Sequence, residues 1–234
     1  MNIEKFLLDN GIRITKRLDQ YFLLNGEILE AEVRLAGLEK DDVVLEIGPG
    51  IGNLTKLLAE KCNVIAVEKD GQFIPLLKNI KNVHVIHHDI LRVIKDLSFN
   101  KIVSNIPYSL SQPLLLELLK HKWKRAVLIV QKEFAEKLVN GRLGILIRDC
   151  GDVVIEALVP GDNFYPPAAD SAIVVINKTK PLDEGLWKFL TAVYRDKNRN
   201  VKNVVKIFPA GLEKKKIHQL SDKEIRQLCE MNKD

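Results

Sequence analysis

The chain has 234 residues, 46% hydrophobic and 29% charged, a balance that suits a soluble globular protein with one α/β domain and a small appendage. No apolar run is long enough to cross a bilayer, and the first residues lack the apolar core and cleavage site of a secretory signal. Three scattered cysteines (Cys62, Cys150, Cys229) make neither a disulfide framework nor a zinc pattern, so a reducing cytoplasm is the expected home.

The first residues predict a short helix, followed by Asp19-Gln20-Tyr21-Phe22-Leu23-Leu24. A second helix is expected from Asn25, a good N-cap, to Gly37. Next, Val43–Ile47 reads as a buried strand that enters the glycine loop Gly48-Pro49-Gly50-Ile51-Gly52, and helical spacing resumes through Leu54, Leu57 and Leu58. Glycines let the backbone approach a ligand, and the helix start presents free N–H groups. A dinucleotide fingerprint would place glycine at 53, where Asn stands. The pattern is Glu-x-Gly-x-Gly-x-Gly from Glu46 to Gly52, which resembles motif I of class I S-adenosylmethionine-dependent methyltransferases.

Two further strands end in acids. Asn63–Val67 runs into Glu68, placed to accept from ribose hydroxyls, and Val83–His87 leads to His88-Asp89, where Asp89 could accept from an adenine amine. Either acid alone is more often a helix cap or a solvated strand end; their recurrence at successive strand ends favours binding. His87 and His88 have no Cys or His partner at ligand spacing, so no metal site is expected.

The most informative segment is Asn105-Ile106-Pro107-Tyr108, after the apolar run Lys101–Ser104. Proline fixes φ and removes an N–H, which leaves the Ile106 carbonyl free to accept from a ligand. The Asn105 side chain adds a second acceptor and Tyr108 a stacking face. Two convergent acceptors beside a ring form a socket for a planar NH2 group, the chemistry of methylating an exocyclic amine.

Helices are expected over 52–61, 70–80 and 111–121, and a fifth strand over 126–130. This alternation predicts a mostly parallel sheet with helices on both faces. Helical spacing continues over 132–139 and after Gly141. Strands at 153–159 and 172–176 then make a closing hairpin around the turn-rich 160–171, giving seven strands in all. Thr179-Lys180-Pro181 reads as a linker, which divides the chain into 1–178 and a small all-helical module, 179–234, with helices at 186–195, 201–207 and 222–231. From Pro181 onward 12 Lys/Arg face 8 Asp/Glu, against 24 and 23 before it, and most of the net charge of +5 lies between Arg195 and Lys216. Such clustering suits a phosphate backbone, and Arg13, Lys16 and Arg17 form a second basic group.

Taken together, the chain resembles the ribosomal RNA adenine dimethyltransferase family along nearly its whole length. The likeness is carried by Gln20-Tyr21-Phe22-Leu23, the loop Gly48–Gly52, Glu68, Asp89, Asn105–Tyr108, Gln131-Lys132-Glu133, Gly141-Arg142-Leu143, Phe164-Tyr165-Pro166-Pro167, Asp170-Ser171-Ala172 and Arg195-Asp196-Lys197-Asn198-Arg199. It implies a Rossmann-like fold and S-adenosyl-L-methionine as cofactor, with Gln20, Tyr21, Leu23, Glu46, Gly48, Gly50, Gly52, Glu68, Lys69, Asp89, Ile90 and Asn105 around it. It also implies Asn105, Ile106, Pro107, Tyr108 and Phe164 as the catalytic set, and Arg13, Lys16, Arg17, Arg195, Lys197, Arg199 and Lys202 as RNA contacts. The implied activity is dimethylation of two adjacent adenosines near the 3′ end of small-subunit (16S) rRNA, on a precursor of the small ribosomal subunit, by a monomer that binds no membrane. A large-subunit rRNA adenine methylase and a non-catalytic, cofactor- and RNA-binding assembly factor are the alternatives. Three departures stand out: Tyr21 where the family has Asn or another small polar residue, a short stretch over 137–141, and Ala168-Ala169 in place of a Pro-Lys-like pair.

Overall fold

Apolar β-branched runs and amphipathic stretches follow one another along the chain, and each run becomes a strand covered by the helix after it. The computed structural model describes residues 2–15 and 18–232, so Lys16 and Arg17 lie outside the described residues. It begins with α1 (Ile3–Asp9), the two-residue strand β1 (Phe22–Leu23) and α2 (Gly26–Ala36). The Asn25 side chain caps α2 by accepting from the N–H groups of Glu27 and Ile28, and Gly37 ends it at φ 55°. There follow β2 (Val43–Ile47), α3 (Asn53–Ala59), β3 (Asn63–Glu68), α4 (Ile74–Lys78), β4 (Val83–His87), α5 (Ile90–Val93), β5 (Lys101–Asn105), α6 (Ser111–Lys120) and β6 (Arg125–Gln131). The chain continues through α7 (Lys132–Asn140), α8 (Arg142–Cys150), β7 (Gly151–Val159), β8 (Phe164–Tyr165), β9 (Ser171–Lys178), α9 (Glu184–Val193) and α10 (Asp222–Met231).

Seven strands form one sheet in the order β4-β3-β2-β5-β6-β9-β7. The first five are parallel, and β9 runs antiparallel between β6 and β7 as the expected hairpin, with a bulge between Ile155 and Ala157. Period-2 alternation sends Ala126, Leu128 and Val130 to one face, under α6, α7 and α8. Val127 and Ile129 go to the other face, with Leu29 of α2 and Leu54 and Leu58 of α3.

The chain lays down β2, β3 and β4 outward and then returns to place β5 on the other side of β2. That reversal is where an open α/β sheet gapes at its carboxyl ends. The β2–β5 ladder pairs only Val44 with Lys101 and Leu45 with Ile102. Beyond it, the buried Ser104 hydroxyl donates to the Ile47 carbonyl at 2.7 Å and accepts the Ile47 N–H at 3.3 Å. One small side chain thus satisfies both backbone groups where the strands separate.

Two expected helices differ. The stretch 70–80 is a 3-10 turn, Gly71–Phe73, followed by the five-residue α4, because Pro75 lacks an N–H and sits in the first turn of a new helix. The stretch 201–207 holds only the turn Val201–Asn203, where three β-branched valines disfavour continued helix. The ribbon pairing Phe22 with Tyr165 and Leu23 with Phe164 is an element the sequence pattern did not announce.

Beyond residue 179 the apolar side chains of α9 and α10 join the same cluster as α6–α8: Leu186, Leu190, Ile225 and Leu228 are continuous with Leu143 and Leu146. Charges add to the seam. Arg226 pairs with Asp149 and Asp183, and Arg148 bonds Asp222 through Nε (2.6 Å) and Nη2 (2.9 Å). Leu228→Ala is therefore expected to cost about 2–5 kcal/mol and to shift one cooperative urea transition of the whole chain; a separate early transition would show that the tail folds by itself.

Candidate active site

The gap between β2 and β5 opens into three adjoining cavities. The largest is a cleft bordered by Leu18, Gln20, Gly48, Gly50, Val67, Glu68, Lys69, Phe73, Asp89, Ile90 and Asn105. A smaller one behind the glycine loop takes in Leu23, Leu29, Glu46 and Asn53. The third lies between Asp19, Ile106, Pro107, Tyr108, Ile129 and Phe164. Tyr21 and Asn105 border all three.

The glycine loop takes its shape from its own backbone. Gly48 and Gly50 have φ of 66° and 54°, in the left-handed region that glycine tolerates. The Gly48 N–H bonds the Val67 carbonyl at 2.9 Å. A side chain at 48 would grow toward the Pro107 ring, 3.6 Å away, so the loop and the Asn105–Tyr108 turn touch here. A Cβ at 50 would sit 3.0 Å from the Phe22 ring.

Glu68 ends β3 with both oxygens engaged: Oε2 accepts the Gly50 N–H at 3.0 Å and Oε1 the Asp70 N–H at 2.7 Å. Burial raises its pKa, and the N–H groups of Asp70 and Gly50 work against that rise. Asp89 is both a wall of the cleft and the N-cap of α5. Its Oδ1 accepts from Leu91 and its Oδ2 from Lys69 at 2.8 Å, and the Lys69 ammonium holds its pKa below the ordinary value. Gln20 spends its amide on framework, accepting from the Thr15 N–H and donating to Asp70. Gly52 faces Leu77 and Ile80 instead of the cleft, and Leu23 and Glu46 border only the cavity behind the loop.

At the turn, the Asn105 Oδ1 is buried with no hydrogen-bond partner. The Ile106 N–H is used by the Ile129 carbonyl at 3.1 Å, and the Pro107 carbonyl takes the Leu110 N–H at 2.9 Å. Tyr108 is pinned by its hydroxyl, which meets Ser171 Oγ at 2.8 Å and the Ala169 carbonyl at 3.2 Å. Ala169, one of the departures noted above, thus acts through its backbone. Tyr21, another departure, stacks on Tyr108 with ring centroids 5.6 Å apart and an interplanar angle of 22°. A base slipped between two rings needs them about 7 Å apart, twice the stacking rise of nucleic acid. The Tyr21 ring therefore fills one face of Tyr108, and Phe164 lines the same small cavity as both rings. The third departure, 137–141, is the last turn of α7 and the one-residue joint Gly141 into α8.

Arg13 is exposed and is fixed to Gln72 through its backbone N–H and carbonyl, at 2.8 and 3.0 Å. Arg195, Lys197, Arg199 and Lys202 are all exposed, on turns tied down by backbone bonds from Ile217 to the Arg199 carbonyl and from His218 to the Lys197 carbonyl.

Two participants escaped the motif reading. Asp19, at φ 49°, accepts the Ser109 N–H at 2.9 Å and binds the cleft rim to the turn. Glu32 is fully buried on α2, and both of its oxygens lack a hydrogen bond of regular geometry. Its signal was present in the helical spacing of Leu29, Glu32 and Ala36, which puts an acid on the apolar face. Burial pushes the Glu32 carboxyl well above the usual carboxylate range, the charge of Glu46 pushes it further, and the Asn105 amide offsets part of the rise.

The model of the ribosomal RNA adenine dimethylase family matches residues 11–233. The chain belongs to that family. A "probable ribosomal RNA small subunit methyltransferase A" of Thermococcus sibiricus is 40% identical over 179 residues, which is 71% of this chain but 65% of the relative. Its namesake in Thermococcus onnurineus is 34% identical across 93% of this chain and 92% of its own length. Among solved structures, a dimethyladenosine transferase from Plasmodium falciparum superposes with TM-score 0.76 at 25% identity, covering 88% of this chain and 95% of that one. The Rossmann-like α/β fold and the methyltransferase family are therefore both established.

The acids of the site carry a pH consequence. Burial pushes Glu46 from 4.5 up to about 8, partly offset by the Thr55 hydroxyl and reinforced by the charge of Glu68. A raised carboxylate pKa gives stability that is complete below about 4.5 and is lost as pH climbs through about 8. Thermal melts of wild type should therefore fall steadily over that range relative to Glu46→Gln, and parallel curves would show that Glu46 ionises normally in the fold.

Proposed function

We propose that this protein uses S-adenosyl-L-methionine to dimethylate the exocyclic amine of two adjacent adenosines near the 3′ end of small-subunit rRNA, acting on a precursor of the small ribosomal subunit. The observation that carries this reading is the buried, unpartnered Asn105 oxygen at the meeting point of the three cavities, beside the Gly48–Pro107 contact. A buried acceptor without a partner is costly unless a ligand completes it.

The cleft suits the cofactor chemically. Glu68 and Asp89 offer acceptors at successive strand ends, Ile90, Val67 and Phe73 frame an apolar space, Lys69 holds Asp89 in place, and Gly48 and Gly50 bring backbone close. When bound there, S-adenosylmethionine supplies an electrophilic methyl group on a positively charged sulfur. The residues of the turn do the rest. Asn105 Oδ1 and the Ile106 carbonyl accept the two hydrogens of the adenine amine, which localises its lone pair and aims it into the cleft. Tyr108 and Phe164 hold the base, at about 1–3 kcal/mol per stacked ring. Orientation of this kind can supply roughly 7–11 kcal/mol of the barrier reduction. An adenosine splayed from an unpaired junction is the cheapest to seat.

Arg13 and, on the tail, Arg195, Lys197, Arg199 and Lys202 are read as phosphate contacts. Their support is exposure together with a shortage of acidic partners: among the described residues only Arg199 of this group has a side-chain ion pair, to Asp196 at 3.5 Å.

Asn105→Ala should abolish methyl transfer to unmethylated small subunits, with modified nucleotides mapped by reverse-transcription stops, while cofactor affinity by calorimetry stays within a few-fold. Full activity in that variant would remove the residue from the reaction. Neutralising Arg195, Lys197 and Arg199 together should weaken subunit binding and flatten its dependence on salt by close to three counterions; an unchanged slope would count against the tail as an RNA contact.

A further inference from the structure

We propose that Glu32 is a positioning residue for the methyl-transfer site: it accepts a hydrogen bond from the Asn105 side-chain NH2 and so keeps the amide oxygen turned toward the target amine. The inference rests on the reaction proposed above and names a residue outside the motifs that led to it.

The position is anomalous on packing grounds. Glu32 is 0% exposed and stands between Leu29 and Ala36 on the buried face of α2, which lies across β5 and β6. An apolar residue would fill this place without leaving a polar group short of partners. Stability alone therefore gives no reason for a carboxyl here. Neither Glu32 oxygen has a hydrogen-bond partner in this structure, and the Asn105 Oδ1 is a second buried, unpartnered atom, on the strand that α2 crosses; the charge of Glu46 and the Asn105 amide are the groups that act on the Glu32 carboxyl. Glu46 borders the same cavity as Asn105, and its Oε2 is likewise buried without a partner.

The chemistry of an amide side chain supplies the reason. Its two ends are almost the same size, so shape cannot decide which of them faces the target. With NH2 forward, donor would meet donor and the amine could not be held. A carboxyl behind the amide removes the ambiguity, because it offers an acceptor in either protonation state. A neutral Glu32 has one proton to place, and Glu46 supplies the acceptor for it. The result is a directed chain: the Glu32 O–H donates to Glu46, the Asn105 NH2 donates to the Glu32 carbonyl oxygen, and the Asn105 oxygen is left for the adenine amine.

The test compares Glu32→Leu and Glu32→Gln with wild type in the full chain, using unmethylated small subunits and labelled S-adenosylmethionine. Leucine should leave the melting temperature equal or higher and cofactor affinity within twofold, yet lower kcat at least tenfold with little change in KM. Glutamine, which can accept from Asn105 and donate to Glu46, should keep kcat within about threefold. A second readout needs no turnover: the Asn105 side-chain 15N–1H2 resonances, assigned by their absence in Asn105→Ala, should exchange slowly with solvent in wild type and Glu32→Gln and quickly in Glu32→Leu. An unchanged kcat in Glu32→Leu would overturn the role, as would equal losses of kcat and melting temperature in both variants. A wild type that transfers no methyl group overturns the reaction assignment and Glu32's part in it together, whereas an active wild type with an indifferent leucine variant overturns only the latter.

Discussion

The site exists because two neighbouring strands are held together and then allowed to part. Ser104 stands at the fork: its hydroxyl bonds both backbone groups of Ile47, so neither is orphaned when the ladder of β2 and β5 stops. An unsatisfied buried peptide group would otherwise favour continued pairing or collapse of the gap. On one side of the fork the chain runs straight into Gly48, on the other into Asn105. The glycine loop and the acceptor turn are thus a single feature of sheet topology, joined again where Gly48 meets Pro107.

From that fork outward the side chains fall into layers. Glu68 braces the glycine loop through Gly50, Asp89 is braced by Lys69, and Gln20 ties the entry segment to Asp70. Asp19 and Ser171 fix the far wall by holding Ser109 and the Tyr108 hydroxyl. Most of the polar groups that line the cleft therefore already have one protein partner. The Asn105 oxygen does not.

Much of this was legible in the sequence. The central strands β2, β3, β5, β6 and β9 are apolar runs dense enough to be read alone, and Asn25 and Gly37 mark the ends of α2 as their types require. The glycine pattern, the acids at strand ends and the Asn105–Tyr108 turn were readable because each is local. What was not legible depends on distant partners. Ser104 reads as one more small residue in a strand until Ile47 is placed beside it, 57 positions away. The two-residue ribbon of Phe22-Leu23 with Phe164-Tyr165 is too short to have a period. Glu27, Glu30 and Glu32 look alike as letters in one helix, and only the phase of the helix separates the buried one from its exposed neighbours. Pro75 is a breaker inside an otherwise helical run, and it, more than the apolar spacing around it, decides where the helix starts.

The ring of Tyr21 forms part of the wall of the large cleft and of the small cavity beside Phe164 alike. A partition shared by two chambers cannot move for one occupant without reshaping the room of the other. Any free energy spent in displacing this phenol for an occupant of one cavity is felt in the other, and thermodynamic reciprocity requires the influence to run equally in both directions. What reads in the sequence as the loss of a small polar contact is, in the fold, a wall that makes two neighbouring cavities mechanically aware of each other.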